Sequence, residues 1–186
     1  LLQQGRSVAS IDVDARQGTL SRYIANRAKF VQASGKDLGE SQHYIVEIPL
    51  ETANATERDA ELERLRLLIE GAMINHDAIV IDTPGSASMV SQLAHSYADT
   101  LVTPINDSFV DFDVLAHVDG TAMTIKGPSH YAEMVWEQKK VRADRHPRLR
   151  SSILALKRGF RVFVVQARVT TKAMWRALLV LRVGTS

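Results

Sequence analysis

The segment from Ala78 to Gly85 constrains the fold more than any other part of the chain. Three β-branched residues lead to Asp82, and the sequence then breaks at once into Thr83-Pro84-Gly85. A continuous apolar segment of this kind is typical of a strand buried on both faces of a parallel sheet. Such a strand delivers its last residue to the carboxyl edge, where open α/β folds bind ligands. A carboxylate at that edge can hold Mg²⁺ through its water shell, next to a nucleotide's phosphates.

Strand and helix patterns alternate along the first 141 residues, which indicates βαβ units and a mainly parallel sheet. Apolar β-branched stretches predict strands over Ser7–Ile11, His43–Ile48, Ala78–Asp82 and Thr100–Thr103. Helical spacing of apolar residues predicts helices over Leu20–Phe30, Thr56–Ile74, Ser86–Tyr97, Val110–Met123 and Tyr131–Val141. Thr56 and Asp59 have the spacing of a capping box for the second of these helices. We therefore expect a three-layer α/β domain.

Two predicted strands end in carboxylates, Asp12-Val13-Asp14 and Asp82. Right-handed βαβ connections place the two strand ends on the same edge of the sheet, so these side chains can converge on one ligand. Gly85 would let backbone N–H groups approach a phosphate, because it has no Cβ. The alternative is that Asp82 to Gly85 form only a turn that ends the strand, since Asp, Pro and Gly are all common turn residues.

Several chemistries find no support in the sequence. The chain has no cysteine, and its six histidines show no i, i+4 pair that would suggest zinc. It has no Gly-x-Ser-x-Gly elbow of a serine hydrolase. No apolar run approaches the roughly 20 residues that span a bilayer, so we expect no stable membrane insertion.

Three blocks of sequence together resemble the ParA/MinD class of deviant Walker A ATPases, and within it the family of bacterial division-plane positioning ATPases called MipZ. The blocks are Val8–Gln17, Ile79–Gly85 and Leu101–Asp113, and the third is the most specific of them. The resemblance covers about residues 1–142. It implies a P-loop NTPase-like fold, ATP as the nucleotide and Mg²⁺ as its cation.

The resemblance also implies a role for each matching position. Asp82 is similar to the Walker B aspartate, which acts on Mg²⁺ through water, and Asp14 matches the aspartate that positions or activates the hydrolytic water. The other positions implied to contact the nucleotide or its switch segments are Asp12, Arg16, Gln17, Thr83, Pro84, Gly85 and Asp107.

The resemblance also implies a cellular role, that of an ATP-dependent dimerisation switch. In this family ATP closes a homodimer that binds DNA nonspecifically, and hydrolysis releases it. A ParB-type centromere-binding protein seeds a gradient of such dimers, which inhibits FtsZ polymerisation away from midcell. The implied location is cytoplasmic, at the nucleoid and the cell poles.

The 186 residues depart from the family pattern in one decisive respect. The phosphate-binding loop, Lys-Gly-Gly-x-Gly-Lys-Ser/Thr, would lie upstream of Leu1. Without its backbone amides and lysines the largest electrostatic contribution to phosphate binding is missing. We therefore expect the fold to lack its first strand and P-loop, and the chain as given to be inactive.

The sequence leaves two other functions open. One is a noncatalytic interaction module of the same fold, which a start codon close to Leu1 would favour. The other is a Rossmann dinucleotide binder with Asp12 on a ribose. It would require a Gly-x-Gly-x-x-Gly one strand earlier, and it would leave Asp82 to Gly85 unexplained.

The charge balance changes sharply near Arg142. Residues 1–141 contain 12 basic and 20 acidic side chains, whereas residues 142–186 contain 11 basic side chains and a single acidic one, Asp144. The tail could be a nucleic-acid-binding extension, or Lys172 to Arg182 could form a membrane-surface helix. The simultaneous loss of the family pattern favours a third interpretation, a reading-frame slip. We thus divide the chain into an ATPase core, residues 1–142, and a basic tail, residues 143–186, which we interpret as the product of such a slip.

The frame-slip interpretation predicts that a one-base shift near codon 142 restores a strand followed by an Asn-Arg segment. Sequencing the encoding DNA and translating all three frames tests this directly. Absence of that pattern from both other frames would rule the slip out.

Overall fold

The computed structural model describes residues 1–48, 54–86, 88–105, 116–119, 121–122, 124–153, 161–167 and 177–182. The strands are β1 Val8–Asp12, β2 Gln42–Ile45, β3 Ala78–Pro84, β4 Thr100–Ile105, β5 Ala116–Asp119, β6 Thr124–Pro128, β7 Arg161–Ala167 and β8 Ala177–Arg182. After a 3₁₀ turn at Leu2–Gln4, the helices are α1 Thr19–Ser34, α2 Ala55–Asn75, α3 Met89–His95 and α4 His130–Ile153. The predicted α/β class is confirmed.

The sheet is mainly parallel. Six strands lie in the order β2-β1-β3-β7-β4-β8, and every neighbouring pair is parallel except β4 with β8. In this order β7 lies between β3 and β4 and pairs with both. Strands β5 and β6 form a separate antiparallel pair. Because β1 and β3 are direct neighbours, their carboxyl ends lie side by side.

The core lies where β1 and β3 meet α2. All five residues of β1 are buried, as expected for an inner strand covered on both faces. Ile11, Ile79 and Ile81 are fully buried, and so are Leu65 and Ile69 on the apolar stripe of α2. Burying a side chain of this size contributes about 1.5–3 kcal/mol, so this contact fixes the position of both strand ends.

The start of α2 corrects one expectation. Asn54 is the N-cap, its side chain accepts from Glu57 N at 3.0 Å, and the Glu57 carboxylate accepts from Asn54 N at 2.9 Å. The capping box is therefore formed by Asn54 and Glu57, and the expected box at Thr56 and Asp59 is wrong. Asn is among the strongest N-cap residues, so the helix begins before Thr56 can serve as a cap.

The helix expected over Val110–Met123 is also wrong where the structure describes it. Residues 116–119 form β5, which pairs antiparallel with β6. The Asp119 carboxylate accepts from Thr121 N and Ala122 N, which stabilises a turn rather than a helix. The Asp119-Gly120 pair is the sequence signal for such a hairpin. The rest of that prediction falls largely outside the described residues.

The change in charge at Arg142 coincides with no break in structure. Arg142 lies within α4, and its guanidinium donates to the Tyr97 carbonyl and to the Asp99 carboxylate. Strands β7 and β8 both belong to the tail. The proposed division after residue 142 concerns the origin of the tail and stays a prediction. Among the helices that the structure describes, none has both the length and the apolar character to cross a bilayer.

A buried histidine, His95, ends α3 and faces α4. His95 is 5% exposed and meets the Tyr131 ring edge to face, with ring centroids 6.1 Å apart. Neither ring nitrogen has a hydrogen-bond partner among the described residues. Burial lowers the pKa of His95 to about 4, because the protonated ring would lose its hydration.

This histidine should make the protein less stable in mild acid. The unfolded chain protonates the ring near its ordinary pKa of 6.5, whereas the folded protein does so only near pH 4, so stability falls as the pH drops between those values. In urea denaturation, the free energy of unfolding of His95→Leu relative to the unmodified chain should rise by about 2–3 kcal/mol between pH 7.5 and 4.5. His130→Leu is the control, because the His130 side chain is 99% exposed. A pH-independent difference for His95→Leu would contradict the argument.

Candidate functional site

The two strand-end aspartates are adjacent in space. Asp12 and Asp82 are register partners across β1 and β3. Val13 N donates to the Asp82 carbonyl at 3.0 Å, and Val46 N donates to the Asp12 carbonyl at 2.9 Å, so backbone pairing continues past the end of β1. The Asp12 side chain is fully buried and that of Asp82 is nearly so. The convergence predicted for the first acidic segment and Asp82 is therefore present.

The first turn of α1 is directed at this pair of carboxylates. Its N-cap is Gly18, which has a positive φ of 56° and no side chain with which to cap the helix. Instead, Ser21 N donates to Asp12 Oδ2 at 3.0 Å, and Leu20 N–H donates to the Asp82 carboxylate. Free N–H groups at a helix start carry partial positive charge and stabilise anions there. Two strands thus provide the cap that the helix lacks in its own sequence.

Asp82 has unused capacity to bind a proton or a cation. Its Oδ1 is buried and has no hydrogen-bond partner among the described residues. Burial, followed by the charges of Asp12 and Asp14, raises the pKa of Asp82 to about 7, while the Leu20 N–H opposes that rise. Three nearby acidic groups cannot all ionise cheaply, so the site favours a proton or a bound cation at neutral pH.

Asp14 lies at the mouth of the site, in the turn between β1 and α1. Gln17 N and Gly18 N donate to its carbonyl at 2.9 and 2.8 Å. Partial burial is the largest effect on its carboxyl pKa and raises it, and Asp12 acts in the same direction. The Gln17 N–H and the Arg16 charge oppose that rise. Arg16 itself is exposed, and Gln17 is half-buried.

The segment after Asp82 is tied to α3. Thr83 is fully buried, whereas Pro84 and Gly85 are half-buried. Ser91 in the first turn of α3 donates its hydroxyl to the Pro84 carbonyl at 3.1 Å. A shift of the Thr83-Pro84-Gly85 backbone would therefore act on α3. Asp107, the last of the expected nucleotide-contacting positions, lies outside the described residues.

The donor set suits a hydrated magnesium ion. No group of three or more acidic or histidine side chains in the described part of the chain could hold a metal directly. Mg²⁺ keeps several of its waters and takes only one or two carboxylates from a protein, with phosphates completing its shell. The free Oδ1 of Asp82 fits that mode, because it can accept a hydrogen bond from a metal-bound water.

A polar chain beneath Asp12 was not anticipated from the sequence. It runs through Ser21 of α1, His43 of β2 and Ser10 of β1 to Ser41. One signal was available: Ser10 interrupts the otherwise apolar start of β1, Val8-Ala9-Ser10-Ile11. The partners of Ser10 are Ser41 and His43, which lie 31 and 33 residues further along the chain, so local patterns could not identify them.

The parallel sheet with its flanking helices, together with the paired carboxylates at the sheet's carboxyl edge, defines the class as a P-loop NTPase-like domain. Residues 1–183 match the family described as ATPase MipZ, and the chain belongs to that family. It is thus a member of a ParA-like, division-related family of ATPases. The match extends through most of the basic tail. No curated protein gives a match to the chain.

The raised pKa of Asp82 should make stability fall as the pH rises. The unfolded chain releases the Asp82 proton near the ordinary pKa of 3.8, whereas the folded protein retains it until about pH 7. Asp82→Asn removes this proton loss, so its free energy of unfolding relative to the unmodified chain should rise by about 2 kcal/mol between pH 5 and 8. Denaturation at both pH values without divalent cations measures the change. An Asp59→Asn control should show none, since Asp59 is exposed on α2, and an equal difference at the two pH values would contradict the assignment.

Proposed function

We propose that the protein is an ATP-dependent dimerisation switch that positions the division plane. The proposal includes nonspecific binding to DNA, inhibition of FtsZ assembly and recruitment by a ParB-type centromere-binding protein. It places the protein in the cytoplasm, at the nucleoid and the cell poles. Membership of the MipZ ATPase family supports the ATPase and the link to cell division. The finer roles follow from the resemblance to that family.

The observation that carries the proposal is the buried Oδ1 of Asp82, which lies beside Asp12 and Asp14 and has no hydrogen-bond partner among the residues that the structure describes. A strand-end carboxylate with a free acceptor in a water-poor site suits the water shell of Mg²⁺. The ion, when bound, neutralises charge that develops on the transferred phosphoryl group. Asp82 is the residue that would hold its water shell, and Leu20 N–H keeps the carboxylate in place.

Asp14 is our candidate for the residue that orients the attacking water. It is the only one of the three carboxylates that solvent reaches substantially, because Asp12 and Asp82 are buried. Its raised pKa makes it a better proton acceptor than an ordinary surface aspartate. The neighbouring turn places Arg16 and Gln17 at the rim, where they would contact nucleotide or a second subunit.

Thr83, Pro84 and Gly85 would sense the terminal phosphate. They follow Asp82 directly at the end of β3, and the Pro84 carbonyl accepts from the Ser91 hydroxyl at the start of α3. Movement of this segment on nucleotide binding would therefore change the position of α3. Asp12 would border the nucleotide and supports the site by accepting hydrogen bonds from Ser21 of α1. Asp107, which follows β4 in the sequence, would contact nucleotide.

The isolated 186 residues should bind ATP weakly. They contain no Gly-rich Lys-Ser/Thr loop, and backbone amides with lysine are what hold the phosphates in this class. The second candidate function is a noncatalytic interaction module of the same fold. Nucleotide turnover by a form that contains the loop distinguishes the two functions.

The decisive experiment compares the 186-residue chain with the same chain carrying a strand and phosphate-binding loop joined upstream. Calorimetric titration with Mg-ATP should give a Kd weaker than micromolar for the first and markedly tighter binding for the second. Steady-state hydrolysis should be measurable only in the second. There, Asp14→Asn should lower kcat by about 10²–10³-fold with little change in ATP affinity, in line with the loss of a catalytic base.

Asp59→Asn again serves as the control and should hydrolyse ATP normally. Micromolar Mg-ATP affinity of the chain without the loop would refute the claim that the loop is decisive. Absence of hydrolysis in the loop-containing form would refute the switch and leave the interaction module. For an active form, sedimentation with a nonhydrolysable ATP analogue tests dimerisation, and DNA retention and FtsZ pelleting test the two remaining activities.

A further inference from the structure

The polar chain behind Asp12 links an edge strand to the candidate catalytic carboxylate. Asp12 Oδ2 accepts from Ser21 Oγ at 2.6 Å, and Ser21 Oγ contacts His43 Nε2 at 3.0 Å. On the other side of the ring, His43 Nδ1 contacts Ser10 Oγ at 2.9 Å. Ser10 Oγ contacts Ser41 Oγ at 3.1 Å. Ser10 is buried, and Ser21, His43 and Ser41 are half-buried.

The direction of each hydrogen bond follows from counting protons. A carboxylate can only accept, so Ser21 donates its single hydroxyl proton to Asp12. Ser21 Oγ has no second proton, and the contact with His43 must therefore be a donation from Nε2–H. In a neutral ring this leaves Nδ1 as the acceptor, so Ser10 donates to it.

The hydrogen bonds from His43 to Ser21 and from Ser21 to Asp12 keep the same donors when His43 changes charge. Protonation adds a hydrogen at Nδ1, which then donates to Ser10 Oγ and leaves the Ser10 hydroxyl proton able to donate to Ser41. Nε2 is a donor in both forms, so the bonds from His43 to Ser21 and from Ser21 to Asp12 are unaffected. The arrangement is therefore a fixed support and not a pH-dependent switch.

The polar chain supports Asp14 through Oδ1, the second carboxylate oxygen of Asp12. Asp12 Oδ1 accepts from Asp14 N at 3.1 Å, while Oδ2 accepts from Ser21 N and Ser21 Oγ. The orientation of the Asp12 carboxylate thus sets both the first turn of α1 and the backbone of Asp14. A small displacement of Asp14 would move its carboxylate away from an attacking water, at a large cost in rate.

We propose that His43 is a positioning residue, which acts as a fixed Nε2–H donor and, through Ser21 and Asp12, holds the Asp14 backbone in place for water activation. The consequence for catalysis rests on the proposed function. The hydrogen-bond polarity and the support of the Asp14 amide do not, and both can be measured in the 186-residue chain without nucleotide.

The first test is the tautomer of His43. Long-range ¹H–¹⁵N spectra of the unmodified chain at pH 8 should show the Nε2–H form of the neutral ring. The Nδ1–H form would overturn the proposal, because Nε2 would then accept and Ser21 could not donate to Asp12 at the same time. This measurement needs no variant, so it decides the polarity even if a substitution prevents folding.

The second test follows the backbone amide of Asp14 by hydrogen exchange. His43→Asn and Ser21→Ala should lower its protection by about tenfold, the effect of weakening one ordinary hydrogen bond. His43→Gln should restore it, because the glutamine amide nitrogen lies where Nε2 does, whereas the shorter asparagine amide cannot reach Ser21. Protection unchanged in His43→Asn, or lost equally in His43→Gln, would overturn the proposal.

His76→Gln is the matched control. His76 is a buried histidine that contacts β2, and within the described residues its ring nitrogens bond to the Ala72 carbonyl at 3.1 Å and to Gln42 Oε1 at 3.0 Å rather than to the polar chain. Its substitution should leave the Asp14 amide unchanged. In a loop-containing form, His43→Asn should lower kcat about tenfold at an unchanged KM for ATP, with recovery in His43→Gln. If no form hydrolyses ATP, the proposed function fails while the exchange result stands independently.

Discussion

The site depends on the hydrogen bonds from the first turn of α1 to the carboxylates that end β1 and β3. Leu20 N–H and Ser21 N–H would otherwise be unsatisfied, because the helix begins at a glycine that offers no capping side chain. Asp12 and Asp82 would otherwise be two buried, mutually repelling acids. The carboxylates accept from the free N–H groups of the helix, and the N–H groups stabilise the buried carboxylates. The helix start, the two strand ends and the acidic site therefore form as one unit.

The two carboxylates are held to different degrees, and the difference gives each a role. Asp12 receives three hydrogen bonds, from the backbone and hydroxyl of Ser21 and from Asp14 N, which fully commits both of its oxygens to structure. Asp82 retains one buried oxygen that finds no partner in the described part of the chain, and its pKa is raised to about 7. Such an arrangement destabilises the protein without ligand and is relieved by a cation. Repulsion between buried acids that shifts a pKa in this way is typical of ligand-binding and catalytic sites.

Within the described residues, the sheet joins the acidic core to the basic tail. Strand β7 lies between β3 and β4, which have no direct pairing with each other, and α4 runs without interruption through Arg142. The family match likewise extends to residue 183. Charge composition identified residue 142 as a boundary because charge is a local count. Pairing across the sheet is a nonlocal property and places one tail strand, β7, beside β3 and the other, β8, beside β4.

The sequence by itself determined the α/β class, all four strands predicted before residue 106 and the convergence of Asp12 and Asp82. Each of these follows from local periodicity and from the shared edge of parallel strands. It misplaced the cap of α2, which belongs to Asn54, and expected a helix where residues 116–119 form a strand. Only the tertiary structure decided that His95 of α3 is buried against α4 and that one Asp82 oxygen has no partner within the described ranges. It alone brought His43 and Ser21 together behind Asp12, because those contacts join residues far apart in the chain, whose side chains carry no local pattern.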